Sequence, residues 1–317
     1  MLLAIRALSF DFGCNQNFQS AASLKMDFCR KALFHSANST RNYVERRSFD
    51  KYAKHADLPI FVLLTHPRAT ATAFEQVMRT HKKIQVLHAP YLDPYLLRKY
   101  GPNHQLTRSL SQSEVTFEDI TEKLFAMAKT TPVFFKESGY ILLEYLKTHP
   151  EFYKNPQMKI AFLVRDPAKS ILSFYKKMPT VDESIVGHRQ LWELFVLLKN
   201  ELPNVPPIID SDALLKDPLS VLQQLGQSWN LAFDKSNLQW ESGYADDWHV
   251  RDWYAEVANS TELGPYPGDV ARNEERVPLY LEITDEKDRL RMQTLYKTQN
   301  EYYQKFLRNH IAPDQKE

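Results

Sequence analysis

The feature that most constrains the fold is a series of short apolar runs that alternate with helical patterns. The runs cover residues 59–64, 84–88, 132–136, 158–164 and 207–210. Continuous apolar segments of this length, rich in β-branched and aromatic residues, are typical of strands buried on both faces. Helical periodicity falls over residues 72–80, 117–129, 140–147, 168–177, 185–202, 218–229 and 285–307. The alternation predicts an α/β fold of three layers, with a central, mainly parallel sheet flanked by helices.

The composition and periodicity of the sequence change at Leu58. Residues 1–57 are rich in Asn, Gln and Ser, include a basic stretch and show little periodicity. We therefore predict a poorly regular N-terminal extension over 1–57 and a single α/β domain over 58–317. No internal repeat or low-complexity linker divides the second part.

Charge and cysteine content exclude several classes of protein. Forty Lys and Arg against 39 Asp and Glu give a formal charge of +1, so no overall field favours nucleic acid as a partner. No apolar run approaches the 18 residues of a membrane span. Cys14 and Cys29 are too few for a disulfide framework or a four-cysteine zinc site. We therefore expect a cytoplasmic protein without a membrane span and without a metal.

Glycine is scarce, with eight in 317 residues. None of the eight precedes a lysine, and none forms G-x-G-x-x-G. A Walker-type P-loop and a dinucleotide-binding fingerprint are therefore both absent.

The segment after the first predicted strand is a candidate phosphate site. It reads Thr-His-Pro-Arg-Ala-Thr-Ala-Thr over 65–72 and leads into a helix. Ligands of open α/β sheets bind at such places, and helix N-termini favour anions. Arg68 adds a fork of donors, and the hydroxyls of Thr70 and Thr72 can either cap the helix or bond an anion. A plain helix cap with a solvated arginine explains this loop equally well.

The segment after the fourth strand resolves the ambiguity. Arg165 leaves the strand end, and Ser173 follows eight residues later, two turns into the next helix. This pair resembles the 3′-phosphate-binding element of the cytosolic and Golgi sulfotransferases. The loop at Arg68 then resembles their 5′-phosphosulfate loop in the form with Pro-Arg in place of Pro-Lys. An acidic strand end, Asp-Pro and a leucine-spaced helix over 208–225 extend the resemblance to about residues 60–230.

The resemblance implies an enzyme that uses 3′-phosphoadenosine 5′-phosphosulfate as co-substrate. By this resemblance, Arg68 takes the place of the family's lysine that steadies the leaving phosphate. The loop of Ala69, Thr70, Ala71 and Thr72 corresponds to the one that wraps the 5′-phosphate. Phe74 falls where an aromatic ring stacks on adenine, and Arg165 with Ser173 takes the 3′-phosphate.

The sequence also departs from the family. Ala69 and Thr70 replace a Ser-Gly pair. Since threonine adopts a positive φ only at a cost, we expect this loop either to follow an α-like path or to bind the phosphate less closely. The Arg-Lys-Gly element that closes over the 3′-phosphate has no clear counterpart; Arg272 and Arg276 are candidates.

A sulfuryl transfer needs a proton acceptor, and strand ends supply two main candidates. His88 ends the second strand and ranks first, because imidazole titrates near neutral pH. Glu137 ranks second, next to Ser138 in the position of a family histidine. Asp93 is a third possibility.

The predicted function is therefore sulfuryl transfer to a hydroxyl or amine, with a small-molecule acceptor favoured over a protein. Two alternatives stay open. One is a catalytically inactive nucleotide-binding relative, which the departures favour. The other is a P-loop-like phosphotransferase, which the missing Gly-Lys-Ser/Thr disfavours.

Overall fold

A computed structural model describes residues 58–103, 107, 115–248, 251–264 and 280–310. The predicted irregular extension over 1–57 lies outside these residues, as do Cys14, Cys29, Arg272 and Arg276. None of the described helices is both long and apolar enough to cross a lipid bilayer.

Five parallel strands form the central sheet, in the order β2-β3-β1-β4-β5. Their bounds are β1 Ile60–Thr65, β2 Gln85–His88, β3 Val133–Ser138, β4 Met158–Val164 and β5 Ile208–Asp210. Every predicted strand is therefore present. The all-parallel arrangement brings the carboxyl ends of all five strands to one edge of the sheet.

Twelve α-helices lie among the described residues. They are α1 Ala71–Thr80, α2 Leu92–Tyr100, α3 Phe117–Met127, α4 Gly139–Thr148, α5 Pro150–Lys154, α6 Pro167–Lys177, α7 Glu183–Val186, α8 His188–Glu201, α9 Ser211–Lys216, α10 Pro218–Trp229, α11 Arg251–Ala258 and α12 Glu286–Leu307. The sheet and the helices on its two faces form the three layers expected from the sequence.

Alternate residues of the strands pack into two separate apolar cores, one on each face of the sheet. On β1, Ile60, Val62 and Leu64 pack with α3, α4, α8 and α12, whereas Phe61 and Leu63 pack with α1, α9 and α10. Both faces of the strand are thus covered, which explains why its sequence is apolar without alternation.

Local sequence chemistry sets where α6 begins. The Asp166 side chain accepts a hydrogen bond from the Ala168 N–H at 2.7 Å, and Pro167 occupies the first turn. A capping carboxylate followed by proline is a strong helix start. The start of α6 matters because the helix carries Ser173.

Two helix predictions are wrong in detail. The single helix expected over 185–202 is two helices, α7 and α8, which Gly187 separates with a φ of 84°. This left-handed residue ends α7, and glycine adopts it without steric cost. The sequence analysis assigns no helical periodicity between residues 88 and 117, yet this stretch contains α2, whose Pro94 lies in the first turn, where proline is tolerated.

Candidate active site

A cavity of about 720 Å³ opens at the carboxyl edge of the sheet. The loops after β1, β3 and β4 form its floor, and α11 lies along one side. Basic side chains outnumber carboxylates among the described residues of its lining: Arg68, Lys136, Arg165, Lys169 and Lys176 against Glu137 and Glu256. A site with this balance of charge suits a multiply charged anion.

The loop between β1 and α1 follows a strained path. Arg68 has a φ of 65° and Thr70 a φ of 69°. The expectation that Thr70 would avoid a positive φ is therefore wrong. The Thr70 hydroxyl lies 2.6 Å from that of Ser211, which holds the side chain in place. Positive φ at a threonine is costly, and such strain is concentrated at ligand-binding loops.

The strained path brings the loop against the cavity. Ala69, Thr70, Ala71 and Thr72 all line it, together with Arg68. Because Thr70 is the N-cap of α1, the first turn of this helix also lies at the cavity. Amide groups of a helix's first turn lack intrahelical partners and can bind an anion.

Arg68 is held by contacts on three sides. Its Nε donates to the Ser173 hydroxyl at 2.9 Å, and one terminal nitrogen donates to the Trp253 carbonyl at 2.9 Å. The other terminal nitrogen lies 3.3 Å from a carboxylate oxygen of Glu256. The two phosphate sites predicted from the sequence are therefore joined directly, since Arg68 belongs to one and Ser173 to the other.

A pair of buried histidines holds the main chain of Arg165. Its N–H donates to His66 Nε2 at 3.0 Å, and its carbonyl lies 2.9 Å from His188 Nε2. Burial lowers the pKa of both histidines, and that of His188 falls to about 4. His188 is therefore neutral near pH 7, so its Nε2–H donates to the carbonyl. The Arg165 side chain also donates to the Arg68 carbonyl at 3.1 Å, which ties the two phosphate loops together.

Glu137 lies where the sequence predicts, at the end of β3 and in the lining of the cavity. It accepts the N–H groups of Tyr91 and Ser138, each at 3.0 Å. Burial raises the pKa of Glu137 to about 7, against the opposing effect of these two hydrogen bonds. A carboxyl group with this pKa can exchange a proton near neutral pH.

Contrary to the prediction, His88 does not face the cavity. The described residues of the lining do not include it, because both of its ring nitrogens point to other side chains. Nδ1 lies 2.7 Å from Glu75 Oε2, and Nε2 lies 2.9 Å from the Tyr254 hydroxyl. Tyr254 lines the cavity in its place. His88 thus has no direct access to an acceptor in this structure.

The interpretation of Phe74 as an adenine-stacking residue is also wrong for this structure. Its side chain is fully buried in the core between α1 and the sheet. The ring stacks on Phe134 with centroids 5.9 Å apart and meets Trp229 edge to face at 6.1 Å. No face of the ring is left for a base, because α1 turns this position inward.

Sequence reasoning missed helix α11, which supplies Trp253, Tyr254 and Glu256 to the site. Tyr140, at the start of α4, is a further aromatic residue of the lining. The signal for α11 was weak, because the helix has only eight residues and a mixed face.

The sequence matches the sulfotransferase domain family over residues 60–280. No curated protein matches the chain.

Three solved structures are similar to this chain. The sulfotransferase domain of the Synechococcus PCC 7002 olefin synthase has 17% identity, a TM-score of 0.49 and coverage of 77% of this chain and 96% of its own. The sulfotransferase domain of the curacin biosynthetic pathway has 15% identity, a TM-score of 0.42 and coverage of 81% and 99%. Mouse sulfotransferase SULT7A1, complexed with PAP, has 14% identity, a TM-score of 0.38 and coverage of 79% and 85%. The family assignment therefore rests on the sequence match, which spans more than half of the chain: this protein belongs to the sulfotransferase domain family.

Proposed function

We propose that the protein transfers a sulfuryl group from 3′-phosphoadenosine 5′-phosphosulfate to a hydroxyl group of a small molecule. The observation that carries the proposal is the meeting of Arg68, Arg165 and Ser173 at one cavity, beside the first turn of α1. Two arginines and a helix N-terminus provide cationic and amide donors for both anionic ends of such a nucleotide.

The proposed roles follow from position. Arg68 and the first turn of α1 hold the 5′-phosphosulfate, and Arg165 with Ser173 holds the 3′-phosphate. Charge builds on the leaving phosphate oxygen as the sulfur–oxygen bond breaks. A fixed guanidinium beside that oxygen stabilises the transition state more than the ground state.

The β3 side of the cavity is where we place the acceptor. Leu92, Tyr140, Ile141 and Val257 give it apolar walls, and Lys136 and Glu137 lie at its floor. A partly apolar pocket of this size fits a small hydroxylated molecule better than a protein segment. Two groups there can accept the hydroxyl proton, namely the Glu137 carboxylate and the Tyr254 hydroxyl. We also propose that the protein is located in the cytoplasm.

Calorimetric titration tests the donor site. We expect 3′-phosphoadenosine 5′-phosphate to bind about 10- to 150-fold more tightly than AMP, because charged hydrogen bonds to the 3′-phosphate contribute ~1.5–3 kcal/mol. Arg165→Ala should abolish this difference. Arg189→Ala is the matched control, since Arg189 lies on α8 and pairs with Glu183 and Glu193. Equal affinity for the bisphosphate and AMP in the wild-type protein would contradict the proposal.

Turnover separates the proposal from its alternatives. Transfer of radioactive sulfate from the donor to 2-naphthol or 1-octanol supports an active sulfotransferase. Tight bisphosphate binding without any transfer would instead indicate an inactive binding relative.

A further inference from the structure

A chain of buried hydrogen bonds leads from the cavity into the interior of the protein. It runs from the Tyr254 hydroxyl to His88 Nε2 at 2.9 Å and from His88 Nδ1 to Glu75 at 2.7 Å. Tyr254 lines the cavity, whereas the side chains of His88 and Glu75 are 4% and 0% exposed. These three residues lie on α11, β2 and α1, and no sequence pattern connects them.

Glu75 determines which atoms donate and which accept in this series of hydrogen bonds. Burial raises its pKa, but the hydrogen bond from His88 and the charges of Lys136 and Arg79 outweigh that effect, so the pKa lies well below its ordinary value. Trp248 also donates to this carboxylate, through Nε1 at 2.9 Å. A charged Glu75 accepts only, so His88 must carry its proton on Nδ1. The lone pair of Nε2 is then left to accept from the Tyr254 hydroxyl.

His88 is poised to take up a proton. Burial and the charge of Lys136 lower its pKa, so the ring is neutral near pH 7. The groups that face it are Glu75, Lys136, Asp247 and Tyr254, and Asp247 also accepts the His88 backbone N–H at 3.2 Å. The adjacent carboxylate of Glu75 stabilises the imidazolium once it forms.

Tyr254 keeps its phenol proton near neutral pH, so it can receive a proton only while it gives its own to His88. Burial and the charges of Glu75 and Glu137 raise its pKa beyond the ordinary range, while Arg68 opposes them. Tyr254, Arg68 and Glu137 all line the same cavity. With its own hydrogen donated to His88, the phenol oxygen can accept a hydrogen bond from an acceptor hydroxyl.

We propose that Tyr254 relays the proton of the acceptor hydroxyl to His88, a catalytic role that rests on the proposed sulfuryl transfer. The acceptor oxygen forms a bond to sulfur as the bond between sulfur and the phosphate oxygen breaks, and that electron pair leaves with the bisphosphate. The acceptor's proton moves to the Tyr254 oxygen while the Tyr254 proton moves to His88 Nε2. The products are a sulfate ester, the bisphosphate and an imidazolium paired with Glu75.

Glu137 also has a structural role. Its two oxygens accept the main-chain N–H groups of Tyr91 and Ser138, so it fastens the loop after β2 to the end of β3. Both Glu137 and Tyr254 lie within the same cavity. Glu137 as the direct base is therefore the rival outcome of the test.

The pH dependence of transfer distinguishes the two routes. We compare the wild-type protein with Tyr254→Phe, His88→Gln and Glu137→Gln, using the sulfuryl donor with 2-naphthol, 1-octanol and water as acceptor probes. The relay predicts a loss of about 100-fold or more in kcat for Tyr254→Phe and His88→Gln, the size of a lost acid–base group. It also predicts that the rise of activity with pH, centred below the ordinary imidazole value of ~6.5, disappears in both variants. Bisphosphate affinity should stay within about twofold of wild type.

Tyr244→Phe is the matched control. Tyr244 packs edge to face on Trp248, the same indole that Tyr254 contacts, but it is partly exposed and lies outside the cavity. The relay predicts that this variant keeps both kcat and the pH profile.

Several results would overturn the relay. If Tyr254→Phe retained wild-type kcat and pH profile, or if only Glu137→Gln removed the pH-dependent rise, the proton would travel by Glu137. A wild-type protein that binds no bisphosphate would refute the proposed function itself, and the relay with it. Nitrogen NMR provides a test that needs no variant: at pH 7.5 His88 should carry hydrogen on Nδ1 alone, and a proton on Nε2 would refute the relay.

Discussion

The ion pair between Glu256 and Arg68 leads to a prediction about donor affinity. Glu256 extends from α11 and places a carboxylate oxygen 3.3 Å from the Arg68 guanidinium. If Arg68 binds the 5′-phosphosulfate, that anion must compete with the carboxylate for the same nitrogen. Glu256→Gln keeps the length of the side chain and removes its charge, so we expect it to raise the affinity for anionic nucleotides.

The size of the gain in nucleotide affinity depends on how exposed the Glu256 side chain is to solvent. The Glu256 side chain is 69% exposed, against 14% for Arg68, so solvent screens the pair strongly. Exposed ion pairs contribute about 0.2–1 kcal/mol. Releasing Arg68 from the pair should therefore tighten bisphosphate binding by about 1.4- to 5-fold.

Isothermal titration at two salt concentrations measures this effect. The gain should be largest near 0.05 M salt and should shrink toward 1 M, where the Debye length falls to ~3 Å. Glu144→Gln is the matched control, because Glu144 is also exposed but pairs with Lys147 on α4, outside the cavity. An unchanged or weaker affinity for Glu256→Gln at low salt would refute the competition between carboxylate and phosphate.

Three further predictions concern the interior. Phe74→Leu, which keeps most of the buried volume, should lower the free energy of unfolding by about 1 kcal/mol and leave bisphosphate affinity unchanged; a tenfold weaker affinity in calorimetry would restore the adenine-stacking role. Burial lowers the pKa of His188 to about 4, so the unfolded state binds more protons between about pH 4 and 6.5 and stability is lost as the pH falls through that window. From pH 7 to pH 5 we expect urea denaturation to show a loss of about 2 kcal/mol from this group, and a loss of the same size in His188→Gln would contradict the assignment. Tyr303→Phe removes a buried hydrogen bond of 2.8 Å to Asp210 and should destabilise the protein by about 1.5–3 kcal/mol, whereas Tyr302→Phe on the same helix should not; equal midpoints in urea would count against it.

The site was predictable where one short segment carries both the element and the functional group. Arg68 lies three residues after β1, and Arg165 directly follows β4, so a parallel sheet brings both to one edge. Glu137 follows from the same rule, because it lies near the end of β3 beside β1. The position of Ser173 relative to Arg165 was also predictable, because α6 begins just after Arg165 and contains Ser173.

Errors arose where a position had to be assigned to one face of an element. Phe74 lies only three residues after the start of α1, and the rotation of this helix, set by packing on Phe134 and Trp229, turned it inward. Periodicity over 10 residues does not distinguish a core position from a ligand contact near a helix end.

The sequence by itself determined the order of strands and helices, the parallel sheet and the two arginines at its carboxyl edge. These depend on local patterning and on a general rule of α/β topology. Tertiary structure alone decided what meets Arg68 and His88. Their partners Glu256 and Tyr254 lie 188 and 166 residues further along the chain, on a short helix whose position no local signal specifies. Contacts over such separations depend on how whole elements pack, so the imidazole of His88, predicted as the base, contacts Tyr254, a residue of the cavity lining to which the sequence assigned no role.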